Sequence, residues 1–158
     1  MTFDTKAFRQ ALGAFPTGVA VVIAADGPHP TGITANSFTS VSLDPPLVLW
    51  CLAKDSQRYD IFAGAPGFTI SILGAEHREV SARLARPGEH RLDGLPLIKT
   101  ALGPPALAEA LAVFECRHHD SKDGGDHTIL IGEVVRFLRR EGEPLVFHGG
   151  RYGALSAI

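Results

Sequence analysis

The stretch from Gly32 to Pro46, GITANSFTSVSLDPP, carries more hydroxyl and amide side chains than a packed strand needs. As one extended strand it has two alternating faces, and one of them is mostly polar: Thr34, Asn36, Phe38, Ser40 and Ser42. Short hydroxyls and accessible backbone amides suit a flat heteroaromatic ligand whose ring edge alternates hydrogen-bond donors and acceptors. On composition alone, an edge strand that binds no ligand is the competing interpretation.

Length, charge and cysteine content narrow the class of protein. A chain of 158 residues has the usual size of one domain, so we expect a single domain over residues 1–158. The net charge of −2, with both signs interspersed, argues against a nucleic-acid partner. The longest apolar run, residues 19–25, is short of the roughly 20 residues that span a membrane, and the first ten residues lack a signal-peptide pattern. Cys51 and Cys116 lie in apolar surroundings, which indicates reduced thiols and a cytoplasmic protein.

Hydrophobic periodicity and turn residues predict a mainly β chain with a few helices. Helices are expected at residues 5–12, capped by Thr5, at residues 57–63, capped by Ser56, and at residues 76–85. Strands are expected at residues 17–25, 32–42, 47–53, 67–73, 110–119, 128–138 and 144–148. The first two should pair as a hairpin, and residues 120–126 should form a turn. Many strands with short connections favour an antiparallel barrel, because closure removes exposed edges.

Four segments in this order resemble the short-chain flavin reductases, which are the reductase components of two-component flavin-dependent monooxygenases. They are Thr17-Gly18-Val19 before a β-branched strand, the stretch 32–46, Gly125-Asp126-His127 before another strand, and the C-terminal GGRYG of residues 149–153. The resemblance extends from about Phe8 to the C-terminus.

The resemblance implies a homodimer of an antiparallel split β-barrel of the Greek-key, FMN-binding type, with a few peripheral helices. Such a protein uses NADH or NADPH to reduce FMN or FAD and supplies the reduced flavin to a partner monooxygenase. The chain has no Gly-x-Gly-x-x-Gly segment of a Rossmann unit, so the pyridine nucleotide is expected to bind on the flavin. The absence of an Arg cluster near the C-terminal segment favours NADH, since a 2′-phosphate usually needs cationic partners.

Flavin-binding residues follow from the resemblance. Those expected along the ring and ribityl chain are Thr34, Ala35, Asn36 and Ser37, continued by Ser40, Val41 and Ser42. Lys54 and Ser56 correspond to the phosphate end, where a helix beginning at Ser56 would offer amides and a favourable dipole. Asp55 departs from the family pattern there and would repel a phosphate. Arg91 corresponds to a cationic residue near the cofactor, although Leu92 follows it where the family usually has an aromatic residue.

His127 and Tyr152 are the residues that the resemblance places on the nicotinamide side of the flavin. His127 is expected to bond the nicotinamide amide or a phosphate and Tyr152 to stack, because hydride transfer to a flavin depends on orientation. The alternatives are a turn histidine and a core or interface aromatic. His118 and His119 are adjacent in a predicted strand and point to opposite faces, so no metal site is expected.

Two other functions remain open at this point. One is a flavin carrier or sensor without turnover of its own, and the other is a split-barrel oxidase of the pyridoxine-phosphate type. The oxidase would be expected to carry more Arg and Lys for its substrate phosphate than this chain has. His127 and Tyr152 favour the reductase over the carrier.

Overall fold

The computed structural model describes residues 2–158. In that part of the chain there are three α-helices, namely α1 (Thr5–Leu12), α2 (Tyr59–Gly64) and α3 (Arg78–Ala85), and a 3₁₀ turn at Ala75–His77 precedes α3. The strands are β1 (Thr17–Gly18), β2 (Ala20–Ala24), β3 (Thr31–Ala35), β4 (Thr39–Leu43), β5 (Pro46–Ala53), β6 (Gly67–Ile72), β7 (Leu97–Ile98), β8 (Ala106–Leu107), β9 (Ala112–Gly124), β10 (His127–Arg139), β11 (Val146–His148) and β12 (Arg151–Gly153).

Seven antiparallel strands form the main sheet in the order β3-β2-β6-β9-β10-β5-β4. Its two edges, β3 and β4, are joined by only the three residues 36–38. Because consecutive Cα atoms are 3.8 Å apart, Ala35 and Thr39 lie within about 15 Å of each other. The sheet must therefore curl until its edges approach, which confirms the expected barrel. A smaller sheet, β1-β11-β12, and the pair β7-β8 lie beside it.

The predicted single strand over residues 32–42 is wrong, because it is two strands at opposite edges of the sheet. Between them Ser37 turns towards β5, where its hydroxyl accepts a hydrogen bond from the Cys51 N–H at 2.8 Å. Short polar side chains that bond the backbone in this way compete with regular strand pairing. Thr34 and Ser40 thus do not share one face of one strand.

The predicted strand over residues 17–25 also divides. Thr17–Gly18 pairs with β11, and only β2 enters the main sheet, where all its residues are buried. The expected hairpin between the first two strands is confirmed, since β2 pairs with β3 from Ala20↔Ala35 to Ala24↔Thr31.

The long hairpin β9–β10 differs from the prediction as well. Its strands continue through the predicted turn, and the connection is only Gly125-Asp126, with Gly125 at φ 79°.

The caps of two helices differ from the prediction. Asp4 caps α1, since its carboxylate accepts from the amides of Lys6 and Ala7 at 3.0 Å, whereas Thr5 is already helical. Helix α2 begins at Tyr59 with no side-chain cap, so the expected helix N-terminus at Ser56 is wrong. The Ser56 hydroxyl accepts instead from the Arg58 amide at 3.2 Å, which forms a local turn before the helix.

Buried side chains pack on both faces of the main sheet. One cluster includes Trp50, Phe62 and Phe68, with the Trp50 ring edge-on to both phenylalanines. The other fills the space between β2 and α3 and includes Ile23 and Leu84.

No helix within residues 2–158 is long and apolar enough to cross a membrane.

The substitution Ser37→Ala tests the closure of the barrel. It removes the acceptor of the Cys51 N–H, so we expect the free energy of unfolding to fall by about 1 kcal/mol, measured by urea denaturation. Ser40→Ala, on the exposed part of β4, is the control and should change the unfolding free energy by less than about 0.5 kcal/mol. Equal unfolding free energies for the two variants would contradict this role of Ser37.

Candidate functional site

Two adjoining clefts open where α1, the end of β3 and the hairpin β11–β12 meet. The larger has a volume of about 680 Å³, within the usual range of about 300–1,000 Å³ for ligand pockets. The smaller, of about 180 Å³, can hold only part of such a ligand. Asn36 and Phe147 line both clefts, so the two adjoin.

The larger cleft lies between the end of α1 and the turn of the β11–β12 hairpin. The Gly149 amide donates to the Gly13 carbonyl at 2.9 Å and ties the two together. Gly149 and Gly150 have φ of 58° and 77°, which matches the two positive φ values of a type I′ turn. These glycines form a defined two-residue turn between β11 and β12.

Ser81 of α3 forms hydrogen bonds to two other residues that line the smaller cleft, Thr34 and Tyr152. Its side chain is fully buried, its carbonyl accepts from the Thr34 hydroxyl at 2.7 Å, and its own hydroxyl lies 2.8 Å from the Tyr152 hydroxyl. The Tyr152 ring also packs edge-on against Phe147, with centroids 5.6 Å apart, and the Arg78 guanidinium lies 5.6 Å from its centroid. Tyr152 is therefore held in one orientation as a wall of the smaller cleft.

A buried arginine fastens α3 to β3. Arg58, 5% exposed, donates to the carbonyls of Leu84 at 3.2 Å and Arg86 at 3.1 Å, at the C-terminal end of α3, and to that of Gly32 at 2.8 Å. A cation at this end of a helix is favourable. Burial lowers the pKa of the Arg58 guanidinium from its usual value. The resulting attachment fixes where Ser81 meets Thr34 and Tyr152.

His127 lies at a separate corner, where β10 begins opposite Ala53 of β5. Its Nδ1 is 2.7 Å from the Asp126 carboxylate. That hydrogen bond lowers the pKa of Asp126, and the charge of Arg9 lowers it further. His127 lines neither cleft.

The residues predicted along the flavin ring and ribityl chain lie in two places. On β3 and the segment after it, Thr34 and Asn36 line the clefts beside Ala35, while the Ser37 hydroxyl is used by Cys51. On the edge strand β4 lie Ser40, Val41 and Ser42, with an irregularity in the pairing at Val41.

The cationic residues predicted to lie near the cofactor are apart from the clefts. Lys54 pairs with the Asp123 carboxylate, and that hydrogen bond raises the pKa of Lys54. Arg91 lies opposite Thr31, at the far end of β3 from Asn36, and its carbonyl accepts from Arg83 at 2.6 Å. Neither lines the two clefts. Within residues 2–158 there is no group of three or more His, Cys, Asp or Glu that could hold a metal ion.

Sequence reasoning missed several residues of the site, above all Arg9, Thr17, Ser81 and Phe147. The position of Arg9 in the last turn of a short helix gave no hint of a cleft, and Ser81 reads as an ordinary polar residue in an amphipathic helix. The structure itself marks Thr17 as a candidate ligand contact. Its hydroxyl is buried in the wall of the larger cleft without a hydrogen-bond partner among the described residues. An unpaired buried hydroxyl is costly, so it fits a ligand that carries hydrogen-bonding oxygens or nitrogens, as flavins and nucleotides do.

Residues 12–156 match the family model for the flavin reductase like domain. The chain belongs to this family. It is 48% identical to the FMN reductase (NADH) SmoA of Agrobacterium fabrum over 97% of this chain and 87% of that protein. It is 42% identical to the reductase component of a flavin-dependent trigonelline monooxygenase of Acinetobacter baylyi over 93% of this chain.

A solved structure of the NADH:FAD oxidoreductase SgcE6 of Streptomyces globisporus, in complex with NAD and FAD fragments, is 38% identical with a TM-score of 0.91, covering 99% of this chain and 97% of that one. The chain spans about half of some other matches, 48% of the trigonelline component and 53% of an oxidoreductase structure from Sinorhizobium meliloti. The family and the barrel fold expected from the sequence are confirmed, and the relatives named here are reductases of FMN or FAD.

Arg9 is the cation of the larger cleft, and the ion pairs within residues 2–158 do not include it. We expect Arg9→Gln to weaken the binding of FMN or of NADH about tenfold, because a charge-assisted bond to a phosphate is lost. The measurements are flavin fluorescence quenching and the KM for NADH. Lys6→Gln removes the same charge from the same helix outside the clefts and is the matched control. If both substitutions weaken binding equally, the effect reflects only the loss of one positive charge, and the specific role of Arg9 is contradicted.

Proposed function

We propose that this protein is an NADH-dependent FMN reductase that supplies reduced flavin to a separate monooxygenase. The observation that carries this proposal is the pair of adjoining clefts that share Asn36 and Phe147, in a member of the flavin reductase like family. A large cleft beside a small one suits a flavin nucleotide with the nicotinamide ring next to it. FMN and NADH are chosen because the FMN reductase (NADH) matches 97% of this chain.

The chain's own residues bind and orient the flavin and the nicotinamide nucleotide. The flavin, when bound, supplies the atom that accepts the hydride from nicotinamide. Asn36 and the unpaired Thr17 hydroxyl are placed to bond polar atoms of the flavin, and Phe147 gives an apolar wall. Arg9 faces the same cleft as a partner for a phosphate. Thr34 lines the smaller cleft, and Ala35 of β3 with Ser40, Val41 and Ser42 of β4, which line neither cleft, are secondary candidates for contact with the ring.

His127 and Tyr152 are proposed to position the nucleotide without taking a proton. His127 lines neither cleft and is proposed to bond a phosphate of the nucleotide outside them, since Asp126 holds its Nδ1 and leaves the other ring nitrogen free. Tyr152 acts as a wall of the smaller cleft, because its hydroxyl is bound to Ser81 and the Arg78 guanidinium lies close to its ring. Lys54 and Ser56 are secondary candidates for the phosphate end, and Arg91 is a secondary candidate for a cationic residue near the cofactor.

A homodimer is part of the proposal. Helix α1 buries none of its own residues, yet Phe8, Leu12 and nearby Phe15 are 47%, 57% and 76% exposed. Leu12 and Phe15 also line the larger cleft, so a second copy packed on this apolar face completes the cleft as it covers the face. The partly exposed Val41 and the 95% exposed Leu43 on edge strand β4 are further surface for such contact.

The single reductase domain expected over residues 1–158 and a cytoplasmic location are proposed with it. Both cysteines are free thiols, Cys116 is buried, and burial raises its pKa to about 12. Free thiols are typical of a reducing compartment, where NADH is also available.

The direct test is NADH oxidation at 340 nm by the purified protein, with FMN, FAD or no added flavin, and with NADPH in parallel. We expect turnover that depends on added flavin, with FMN and NADH as the preferred pair. Quenching of flavin fluorescence without NADH or NADPH oxidation would contradict the reductase and favour a flavin carrier. Preference for NADPH would contradict the assigned nucleotide.

The dimer is tested by light scattering after size-exclusion chromatography. We expect twice the mass of one chain for the wild type, and a shift towards the monomer for Leu12→Ser/Phe15→Ser, because the apolar contact on α1 is lost. Leu97→Ser, a partly exposed residue of β7, is the control and should remain dimeric. A monomeric wild type would contradict the proposed assembly.

A further inference from the structure

Both the carbonyl and the hydroxyl of Ser81 form hydrogen bonds to residues that line the smaller cleft. It is 0% exposed, and burying a hydroxyl is unfavourable unless it is hydrogen-bonded. Its carbonyl accepts a hydrogen bond from the Thr34 hydroxyl of β3 at 2.7 Å, and its own hydroxyl is hydrogen-bonded to the Tyr152 hydroxyl of β12 at 2.8 Å. One residue of α3 thus joins two walls of the cleft that belong to different sheets.

We propose that Ser81 is a positioning residue for NADH. Its hydroxyl holds the Tyr152 ring as the wall of the smaller cleft and so fixes the space that the nicotinamide ring enters beside the flavin. This inference rests on the proposed reductase function and deepens it. It concerns the nicotinamide end alone, since Ser81 and Tyr152 line the smaller cleft and not the larger one.

The surroundings of Tyr152 show why its hydroxyl bond matters. Its neighbours Arg151 and Gly153 are exposed, and the hairpin it belongs to has three-residue strands. The ring has an edge-on contact with Phe147 and a nearby Arg78 guanidinium, and both contacts permit some rotation of the ring. Among residues 2–158, the hydrogen bond to Ser81 is the one directional contact of the Tyr152 side chain with a buried group, and without it the Tyr152 hydroxyl can bond water instead.

Removal of the Ser81 hydroxyl should leave α3 in place. Arg58 holds the C-terminal end of the helix through the carbonyls of Leu84 and Arg86, and Leu84 is fully buried. The Thr34 bond goes to the Ser81 backbone and survives a side-chain substitution. The effect of Ser81→Ala is therefore confined to Tyr152 and the small space left by the hydroxyl.

The experiment compares Ser81→Ala, Tyr152→Phe and the double variant with the wild type. The measured quantities are the KM for NADH, kcat, the FMN dissociation constant from fluorescence quenching, and the unfolding midpoint. Tyr152→Phe removes the same bond from a half-buried residue and keeps the ring, so it serves where Ser81→Ala folds poorly. Ser71→Ala is the matched control, because Ser71 is also 0% exposed and its hydroxyl accepts from the Leu107 amide at 3.2 Å, outside the clefts.

We expect Ser81→Ala and Tyr152→Phe each to raise the KM for NADH about three- to tenfold, the range that one neutral hydrogen bond supports. The double variant should be no worse than the larger single effect, because both remove one bond. The FMN dissociation constant should stay within about twofold. Ser71→Ala should lower the unfolding midpoint without raising the KM.

Two outcomes overturn the role of Ser81 while the proposed function stands. In one, the wild type oxidises NADH but Ser81→Ala behaves like Ser71→Ala and changes only the unfolding midpoint. In the other, the effects of Ser81→Ala and Tyr152→Phe on the KM multiply in the double variant, which shows that they act separately. A wild type that binds FMN but oxidises no NADH overturns the proposed function and the role of Ser81 together.

Discussion

The site depends on the closure of the barrel between β3 and β4. Two strands at opposite edges of a seven-stranded sheet are joined by three residues, and the Ser37 hydroxyl secures the crossing by taking the Cys51 N–H. This crossing puts Asn36 where β3 ends, beside the β11–β12 hairpin and the end of α1. Closure therefore stabilises the fold and forms the point at which the two clefts meet.

The smaller cleft depends on a second attachment, that of α3 to β3. Arg58 bonds only carbonyls, two at the end of α3 and one on β3, so its charge holds the helix by hydrogen bonds without an ion pair. This arrangement places Ser81 between Thr34 and Tyr152. The side chains of Thr34, Ser81 and Tyr152 are thereby hydrogen-bonded within the chain, whereas the Thr17 hydroxyl in the larger cleft has no partner among the described residues.

The sequence was most informative where local patterns and family motifs agree with the tertiary structure. The barrel, the β2–β3 hairpin, α1 and the family followed from alternating strands and from four motifs. The polar stretch after Gly32 has the pattern of one strand but forms two, because the hydrogen bond between Ser37 and Cys51 spans 14 positions of the chain and leaves no local signal. The start of α2 was misplaced because Ser56 has the residue type of a helix cap but bonds a turn before the helix. Arg9 and Ser81 could not be found from local pattern, since their importance comes from elements distant in the sequence.

The central claim is that the flavin binds in the larger cleft, with its ring near Asn36 and its nicotinamide partner towards Tyr152. A crystal structure of the protein with FMN tests this most directly. The account predicts density for the flavin ring beside Asn36 and Phe147, with the Thr17 hydroxyl or the Arg9 guanidinium in contact with the ligand and the Tyr152–Ser81 bond intact. Density for FMN only at another place, such as the end of β3 near Arg91, would contradict it.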